Sequence, residues 1–253
     1  MPEADAPDGT ESDSVFEEDS NLSSYATSLI SAVRDYKYEN GRRYHVYREG
    51  QYVLPNEEDE QDWQDLLHHV RNLTLGGALF RAPIDAHVQR VLDVGTVTGI
   101  WAIDFTDQMP SAEVIGTDLS PIQPAWVPPN LYFQVEDAES QWLYTKPFDF
   151  IHTRDLGGSI SDWPKLLCQA YQHLKPGGWI ELQEFEVTLK SDDDTMRYAP
   201  HMCEYLEHLH KASEMFKKLM DVTESHKERL AEAGFEDVKD DVYKVRQIMR
   251  LEI

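Results

Sequence analysis

Cysteines, basic residues and long apolar runs are all scarce in this chain of 253 residues. The two cysteines, Cys168 and Cys203, lie in stretches with helical patterning, so we expect free thiols rather than a disulfide framework. No apolar run approaches the roughly 18 residues that span a bilayer, and the acidic N-terminus lacks the basic and apolar regions of a signal peptide. We therefore expect a protein that neither spans a membrane nor is exported.

The shortage of basic residues leaves 23 Lys and Arg against 47 Asp and Glu, a formal net charge of -24. A chain with this charge repels phosphate backbones, which argues against direct nucleic-acid binding and favours a small ligand or a protein partner. Residues 1–20 contain no Lys or Arg and few large apolar groups. We predict a disordered acidic tail there, because such a segment buries too little surface to offset the entropy of ordering.

Residues 21–89 are predicted to form a helical cap on the main domain. Aromatic residues surround Gly41 and Gly50, and a helix follows whose apolar positions recur every three or four residues. Such spacing predicts the face by which the helix packs. The positions are Trp63, Leu66, Leu67, Val70 and Leu73.

Residues 90–253 alternate short apolar, β-branched runs with helical segments, which predicts a doubly wound, Rossmann-like and mostly parallel α/β sheet. The predicted strands are residues 90–94, 113–117, 131–135, 148–153 and 179–187. The predicted helices are residues 99–108, 162–173, 200–220 and 223–233. Residues 235–253 offer one further strand and a short second one, so the C-terminal strands are expected to be incomplete. Ligands of such folds bind at the carboxyl ends of the strands.

The stretch VLDVGTVTGIW, residues 91–101, predicts a buried strand, a turn with Gly95 and Gly99, and the start of a helix. A glycine turn allows close approach to a ligand, and the helix N-terminus offers unpaired N–H donors. The spacing is not the G-x-G-x-x-G of dinucleotide enzymes, which places a nicotinamide-dependent oxidoreductase far behind other interpretations.

Three acidic residues, Asp93, Asp118 and Asp137, stand at or near the ends of predicted strands. An acid at the end of the second strand takes ribose hydroxyls in such folds, which suits Asp118. Asp137, in VEDAES, could accept a hydrogen bond from an adenine amino group. Together with the glycine turn these acids predict a nucleoside pocket without a pyrophosphate site. The alternative, a purely structural turn, leaves the three acids unexplained.

Five blocks resemble, in order, the fungal LaeA-like branch of class I S-adenosylmethionine-dependent methyltransferases. The blocks are VLDVGTVTGIWAIDF, AEVIGTDLSPIQPAWVPPN, VEDAES, FDFIHTRDLGGSISDWPKLLCQA and HLKPGGWIELQE, and the resemblance extends from about Gly41 to Tyr243. It implies a methyltransferase that uses S-adenosyl-L-methionine and is linked to the regulation of fungal secondary metabolism or development. It also implies a velvet-type protein partner and a location in the nucleus, the cytoplasm or both.

The resemblance further implies a cofactor pocket built from the turn, the strand ends and the aromatic N-terminal block. The methionine end of the cofactor would be held by Asp93, Gly95, Thr96 and Gly99. The ribose and adenine would be held by Asp118, Leu119, Asp137 and Ala138. The floor of the pocket would be His152, Thr153 and Arg154, with Tyr44 and His45 closing over it.

Two departures from the family pattern favour an alternative, a weakly active or inactive scaffold within a regulatory complex. The family has D-x-G-T-G-T-G, and Val97 replaces the middle glycine. If that position needs positive φ, a β-branched residue there costs about 1–3 kcal/mol. We expect this cost to weaken cofactor binding about tenfold to hundredfold. The family also continues well beyond DVYKV, whereas this sequence ends at Ile253.

Methyl transfer is an in-line displacement at an activated carbon, so the protein mainly supplies alignment and desolvation. A base is needed only for a protonated acceptor, and His152 is the candidate for that role. The acceptor itself stays open between a protein side chain and a small metabolite. A lid over the acceptor side is predicted from apolar positions of the helix at residues 200–220, namely Met202, Tyr205, Leu206, Leu209 and Met215.

Two further groups of residues have competing interpretations. His201, Cys203, His208 and His210 suggest zinc, but they do not share one helix face, so we expect no metal site. Trp126 lies in a proline-rich loop, where it could pack in the core or line the ligand site.

Overall fold

The computed structural model describes residues 36–45, 47–48 and 54–245, so the predicted tail at residues 1–20 lies outside the described part. The N-terminal block begins with two strands, Tyr36–Glu39 (β1) and Arg42–His45 (β2), which pair as an antiparallel hairpin. A helix, Glu58–Thr74 (α1), follows. The region predicted as a helical cap therefore contains a hairpin as well as a helix.

The main domain is a five-stranded parallel sheet with helices on both faces. Its strands are Arg90–Val94 (β3), Glu113–Asp118 (β4), Leu131–Val135 (β5), Phe148–Arg154 (β6) and Leu174–Gln183 (β7). Its helices are Ile100–Gln108 (α2), Trp163–His173 (α3), Pro200–Met215 (α4) and Thr223–Ala233 (α5). The strand order β5-β4-β3-β6-β7 reverses direction at β3, which confirms the predicted doubly wound α/β fold.

Both faces of the sheet are covered, which explains why its strands are nearly continuous apolar runs. Val91 and Phe150 pack with Trp101 and Phe105 of α2 on one face. The other face carries a second core, which includes Leu92, Ile151, Trp163, Leu166 and Val222. The register pairs Asp93 with Gly116 and with His152, so the carboxyl ends of β3, β4 and β6 meet at one edge.

Several predicted boundaries are wrong, and most of them have local causes. Strand β7 begins at Leu174 through an irregular pairing with β6, and it ends at Gln183 because Glu184 turns to accept backbone N–H groups of the loop after β6. Helix α4 stops at Met215, two residues before Lys217 adopts a φ of +58°. Residues 235–245 form no strand, and residues 246–253 lie outside the described part. Within the described ranges, every helix is too short or too polar to span a bilayer.

Candidate cofactor site

The turn after β3 requires glycine at two positions. Gly95 and Gly99 have φ values of +72° and +83°, a backbone region that residues other than glycine rarely adopt. A Cβ at Gly99 would lie 2.3 Å from the Phe133 ring, and one at Gly95 would lie 2.5 Å from Leu156. The backbone N–H groups of Gly95 and Thr96 both donate to the Thr117 carbonyl at 2.9 Å, which fixes the turn to β4.

Val97 occupies the left-handed region as well, with a φ of +53°. Its N–H donates to Asp118 Oδ2 at 2.9 Å, and its carbonyl accepts from Gln123 Nε2 at 2.5 Å. These two bonds hold the peptide in a conformation that a β-branched residue disfavours. The positive φ that the family glycine suggests is therefore adopted by valine.

An open cleft with about 650 Å³ of empty space, continuous with solvent, lies beside this turn. Gly95, Asp118, Leu119, Asp137, Ala138 and Arg154 are the sequence-predicted residues that line it. The structure thus brings the turn and the ends of three strands together around one space.

Asp118 points both carboxylate oxygens at backbone donors. Oδ2 accepts from Val97 N–H and Oδ1 accepts from Ser120 N–H, each at 2.9 Å. Burial raises the pKa of this carboxyl to about 6, against the opposing effect of these hydrogen bonds. Each oxygen keeps a second lone pair, so Asp118 can still accept ribose hydroxyls.

Asp137 is already paired with a residue of the N-terminal block. Its Oδ1 accepts from Glu139 N–H at 2.9 Å, and Oδ2 accepts from Ser140 Oγ at 3.1 Å. Arg48 Nη1 lies 3.1 Å from the same Oδ2, and Arg48 Nη2 donates to Ser140 Oγ at 3.0 Å. The carboxylate predicted to meet adenine therefore also pairs with the Arg48 guanidinium, and no sequence motif signals this pair.

Asp93, Thr96 and His152 form a buried cluster behind the turn rather than part of the cleft wall. Asp93 Oδ2 accepts from Thr96 Oγ1 at 2.6 Å, and His152 Nδ1 donates to Asp93 Oδ1 at 2.7 Å. The His152 ring is fully buried and stacks on Trp101 at 3.7 Å. A base must reach the acceptor's proton, and His152 does not line the cleft, so its role as a base stays a prediction. Asp93 and Thr96 position the turn and do not line the cleft.

The remaining predicted residues are also displaced from the cleft surface. Gly99 and Thr153 are buried, and neither lines the cleft. Tyr44 and His45 belong to β2 and do not line it either. That Tyr44 and His45 close over the cofactor stays a prediction, whereas Arg48 of the same block contacts the cleft residue Asp137.

Helix α1 contacts the site through polar side chains that sequence reasoning missed. Thr98 Oγ1 donates to Asp65 at 2.7 Å, Arg154 Nη1 donates to His68 Nδ1 at 2.8 Å, and Arg71 pairs with Asp155. His68 Nε2 also lies 2.9 Å from Asp104 of α2.

The apolar face of α1 is turned away from the sheet. Trp63, Leu66 and Leu73 are 52%, 50% and 67% exposed, whereas His68 on the opposite face is buried. The predicted apolar packing face is therefore wrong, because the inward face of this helix is polar.

The opposite wall of the cleft comes from the connection after α4. Lys218 lines the cleft, and its Nζ donates to the Ser159 carbonyl at 2.6 Å. Gly158 N–H donates to the Leu219 carbonyl at 2.8 Å. Helix α4 itself leaves Tyr205 and Met215 exposed, so the predicted lid packing is wrong, and no motif signals the wall that replaces it.

Three smaller points concern the cysteines, the metal-ligating residue types and Trp126. Cys168 and Cys203 are free thiols. In the described ranges, no group of three or more His, Cys, Asp or Glu residues could hold a metal ion. Trp126 is 95% exposed, so it neither packs in the core nor lines the cleft.

Comparisons with known proteins place the chain in a family. The methyltransferase domain family matches residues 58–239. "Methyltransferase pytC" of Aspergillus terreus is 44% identical over 223 residues, 88% of this chain and 69% of that protein. "Secondary metabolism regulator LAE1" of Cochliobolus heterostrophus is 40% identical over 213 residues, 82% of this chain and 69% of that protein.

Two more distant matches extend this set. "Protein-methionine methyltransferase laeA" of Emericella nidulans is 39% identical over 161 residues, 62% of this chain and 43% of that protein. Among solved structures, the Haemonchus contortus phosphoethanolamine N-methyltransferase 2 with S-adenosyl-L-methionine is 18% identical, with a TM-score of 0.49 over 84% of this chain and 58% of that one.

Proposed function

We propose, given that this chain belongs to the methyltransferase domain family and is a LaeA-like class I methyltransferase, that S-adenosylmethionine binds in the cleft beside Gly95. The observation that carries the proposal is the convergence of Asp118 and Asp137 on that one space. Relatives named as a methyltransferase and as secondary metabolism regulators favour an enzyme of secondary metabolism over an inactive scaffold.

The residues present fit this cofactor. Gly95 lines the cleft with a φ of +72°, and a Cβ there would meet Leu156, so glycine keeps the backbone at this wall free of a side chain. The ionised Asp118 offers lone pairs for two neighbouring hydroxyls, and Asp137 offers one for an exocyclic amine. Acidic side chains outnumber basic ones on the cleft wall, which suits a positively charged sulfonium. The acids are Asp118, Glu136, Asp137, Glu139 and Asp155, and the bases are Arg154 and Lys218.

The protein's contribution to the reaction is positioning and the exclusion of water. When bound, the cofactor supplies a methyl group on a carbon already activated for displacement. Asp118 and Asp137 would orient the nucleoside, while the buried cluster of Asp93, Thr96 and His152 keeps the turn in place. Leu156 and Ile160 add apolar surface that removes water from the space beside them.

The acceptor class that we propose is a thioether. A thioether sulfur carries no proton, so its methylation needs no base, which agrees with the burial of His152. The relative from Emericella nidulans is named for action on protein methionine. Transfer of labelled methyl groups to a methionine peptide, and none to the matched norleucine peptide, would support this class; transfer to neither would remove it.

Two parts of the functional proposal rest on the resemblance alone. They are a velvet-type protein partner and a nuclear location, and co-purification and fluorescence microscopy of the tagged chain in a fungal host test them. A chain that is excluded from nuclei and purifies alone contradicts both.

Calorimetric titration with S-adenosylhomocysteine tests the cofactor site directly. We expect binding by the wild-type protein and a tenfold to hundredfold weaker Kd for Asp118→Asn, since a hydrogen bond to a charged acceptor contributes about 1.5–3 kcal/mol. Asp107→Asn, at an exposed position on α2, is the matched control and should leave the Kd unchanged. No heat from the wild-type protein at millimolar ligand would remove the proposal.

A further inference from the structure

Two basic side chains line the cleft, and they differ in how their charge is balanced. Lys218 Nζ donates to the Ser159 carbonyl at 2.6 Å and lies 3.8 Å from a carboxylate oxygen of Glu139. Arg154 is partly buried, and within the described ranges it forms no ion pair with a carboxylate. Its hydrogen bond there runs from Nη1 to His68 Nδ1, at 2.8 Å. An arginine held in this way keeps its charge and its other N–H groups available to an anion in the cleft.

The ring of His68 lies between a donor and an acceptor, which determines its protonation. Nε2 lies 2.9 Å from Asp104 Oδ2 and 2.9 Å from the side-chain amide of Asn72. A carboxylate can only accept and a guanidinium can only donate, so Nε2 carries the proton and Nδ1 presents its lone pair to Arg154. Burial, and after it the charge of Arg154, lowers the pKa of His68, while Asp104 and Asp65 oppose this effect. The ring is therefore neutral at pH 7, and it holds the guanidinium without cancelling its charge.

A second arginine, on α1 itself, shows the contrasting arrangement. Arg71 pairs with the carboxylate of Asp155, and its Cζ lies 3.7 Å from the centre of the Phe185 ring. Arg71 does not line the cleft, whereas Arg154 does. The guanidinium with a carboxylate partner is thus the one away from the ligand space, and the one with a neutral partner faces that space.

The position of Arg154 in the sheet corresponds to the far end of a nucleoside ligand. Along the strand order β5-β4-β3-β6, the residues at or just after the carboxyl ends include Asp137, Asp118, Gly95 and Arg154 in turn. Neighbouring strands lie about 4.8 Å apart, so roughly 14 Å separates the first of these positions from the last. A ligand with its adenine at Asp137 and its ribose at Asp118 therefore directs its third part past the turn and toward Arg154. In S-adenosylmethionine this part is an amino acid, and its carboxylate is the only anionic group of the molecule.

We propose that His68 is a positioning residue, whose neutral ring holds the Arg154 guanidinium where it binds the carboxylate of the cofactor. This inference rests on the proposed function, because it assigns one end of the same ligand. His68 does not line the cleft, so it acts only through Arg154. The polar inner face of α1 thereby contributes to ligand binding as well as to the attachment of the helix.

Calorimetry with two ligands isolates the contribution of the carboxylate. The ligands are S-adenosylhomocysteine and its decarboxylated form, which keeps the adenosine, the sulfur and the amine. The wild-type protein should bind the first about tenfold to hundredfold more tightly, because hydrogen bonds between charged groups are strong. His68→Phe, or His68→Leu should that variant not fold, removes the acceptor for Arg154. This preference should then fall about fivefold or more, while the Kd of the decarboxylated ligand stays within about twofold of the wild-type value.

Two further variants separate positioning from a general effect on the fold. His68→Asn places Oδ1 the same number of bonds from the backbone as Nδ1, so it keeps an acceptor for Arg154 and should keep most of the preference. His69→Phe, at an exposed position of the same helix, is the matched control and should change neither Kd.

The outcomes distinguish this inference from the proposed function. The inference is overturned if the variant without an acceptor keeps the preference, if it weakens both ligands equally, or if His68→Asn behaves like that variant. Equal binding of both ligands by the wild-type protein would also overturn it, and would leave the cofactor site in place. Binding of neither ligand by the wild-type protein would remove the cofactor site, and the inference with it.

Discussion

Replacing Val97 by glycine measures the strain held in the turn. Holding a non-glycine residue in the left-handed region costs about 1–3 kcal/mol, and Val97 is held there by Asp118 and Gln123. Glycine adopts this conformation freely but loses about 0.5–1 kcal/mol more backbone entropy on folding. The difference predicts that Val97→Gly raises the free energy of unfolding by about 0.5–2 kcal/mol.

The same substitution should alter cofactor affinity less than its strain suggests. Because hydrogen bonds within the protein, to Asp118 and from Gln123, hold Val97 at a φ of +53°, we expect the strain in both the free and the bound protein, where it cancels from the Kd. The wild-type protein and Val97→Gly then differ at the cleft wall only by the valine side chain. We expect a change in Kd of less than about tenfold, so the cost that sequence reasoning assigned to affinity belongs to stability.

Urea denaturation of the wild-type protein, Val97→Ala and Val97→Gly provides the assay, with calorimetry for the Kd. Alanine keeps a Cβ in the left-handed region, so its gain in stability should be smaller than that of glycine. The reasoning is refuted if glycine gains nothing, if alanine gains as much, or if glycine leaves stability unchanged while tightening binding a hundredfold.

Three other predictions concern charge. Burial raises the pKa of Asp118 to about 6, so the affinity for S-adenosylhomocysteine should rise from pH 5 to pH 7 and flatten in Asp118→Asn; parallel calorimetric profiles would contradict this. Burial lowers the pKa of His226 to about 4, so the free energy of unfolding rises with pH between about 4 and 6.5. The variant His226→Phe keeps the ring contact with Trp163. Its free energy of unfolding, measured in urea melts, should be about 1–2 kcal/mol higher than that of the wild type at pH 5 and little changed at pH 8. Arg48→Ala should tighten the calorimetric Kd up to about fivefold by freeing Asp137, and weaker binding would make Arg48 part of the site.

The sheet and the acidic strand ends could be predicted because their signals are local. Strands β3 and β5 match their predicted bounds, and β4 and β6 differ by one residue. Buried parallel strands are short apolar runs bounded by turn residues, so their positions are visible in the sequence itself. The places of Asp118 and Asp137 then follow from the sheet, since parallel strands end at a common edge.

The orientation of α1 could not be predicted in the same way. Its periodicity shows that one face is apolar but not which face meets the sheet. The answer depends on Thr98, Arg154 and Asp155, distant residues that supply partners for Asp65, His68 and Arg71. The burial of His152 has a similar origin, because it depends on Trp101 of the next helix and not on the strand that carries it.

The polar face of α1 should also affect how well this helix is protected from solvent. When a helix opens locally, water can replace hydrogen-bond partners such as those of Asp65 and His68. Water cannot replace the apolar packing that buries Trp101 and Phe105 of α2. Backbone amides of residues 58–74 should therefore exchange with deuterium sooner than those of residues 100–108. Helix α1, which contacts the turn through Thr98, is thus expected to be less protected from exchange than α2, which packs in the core.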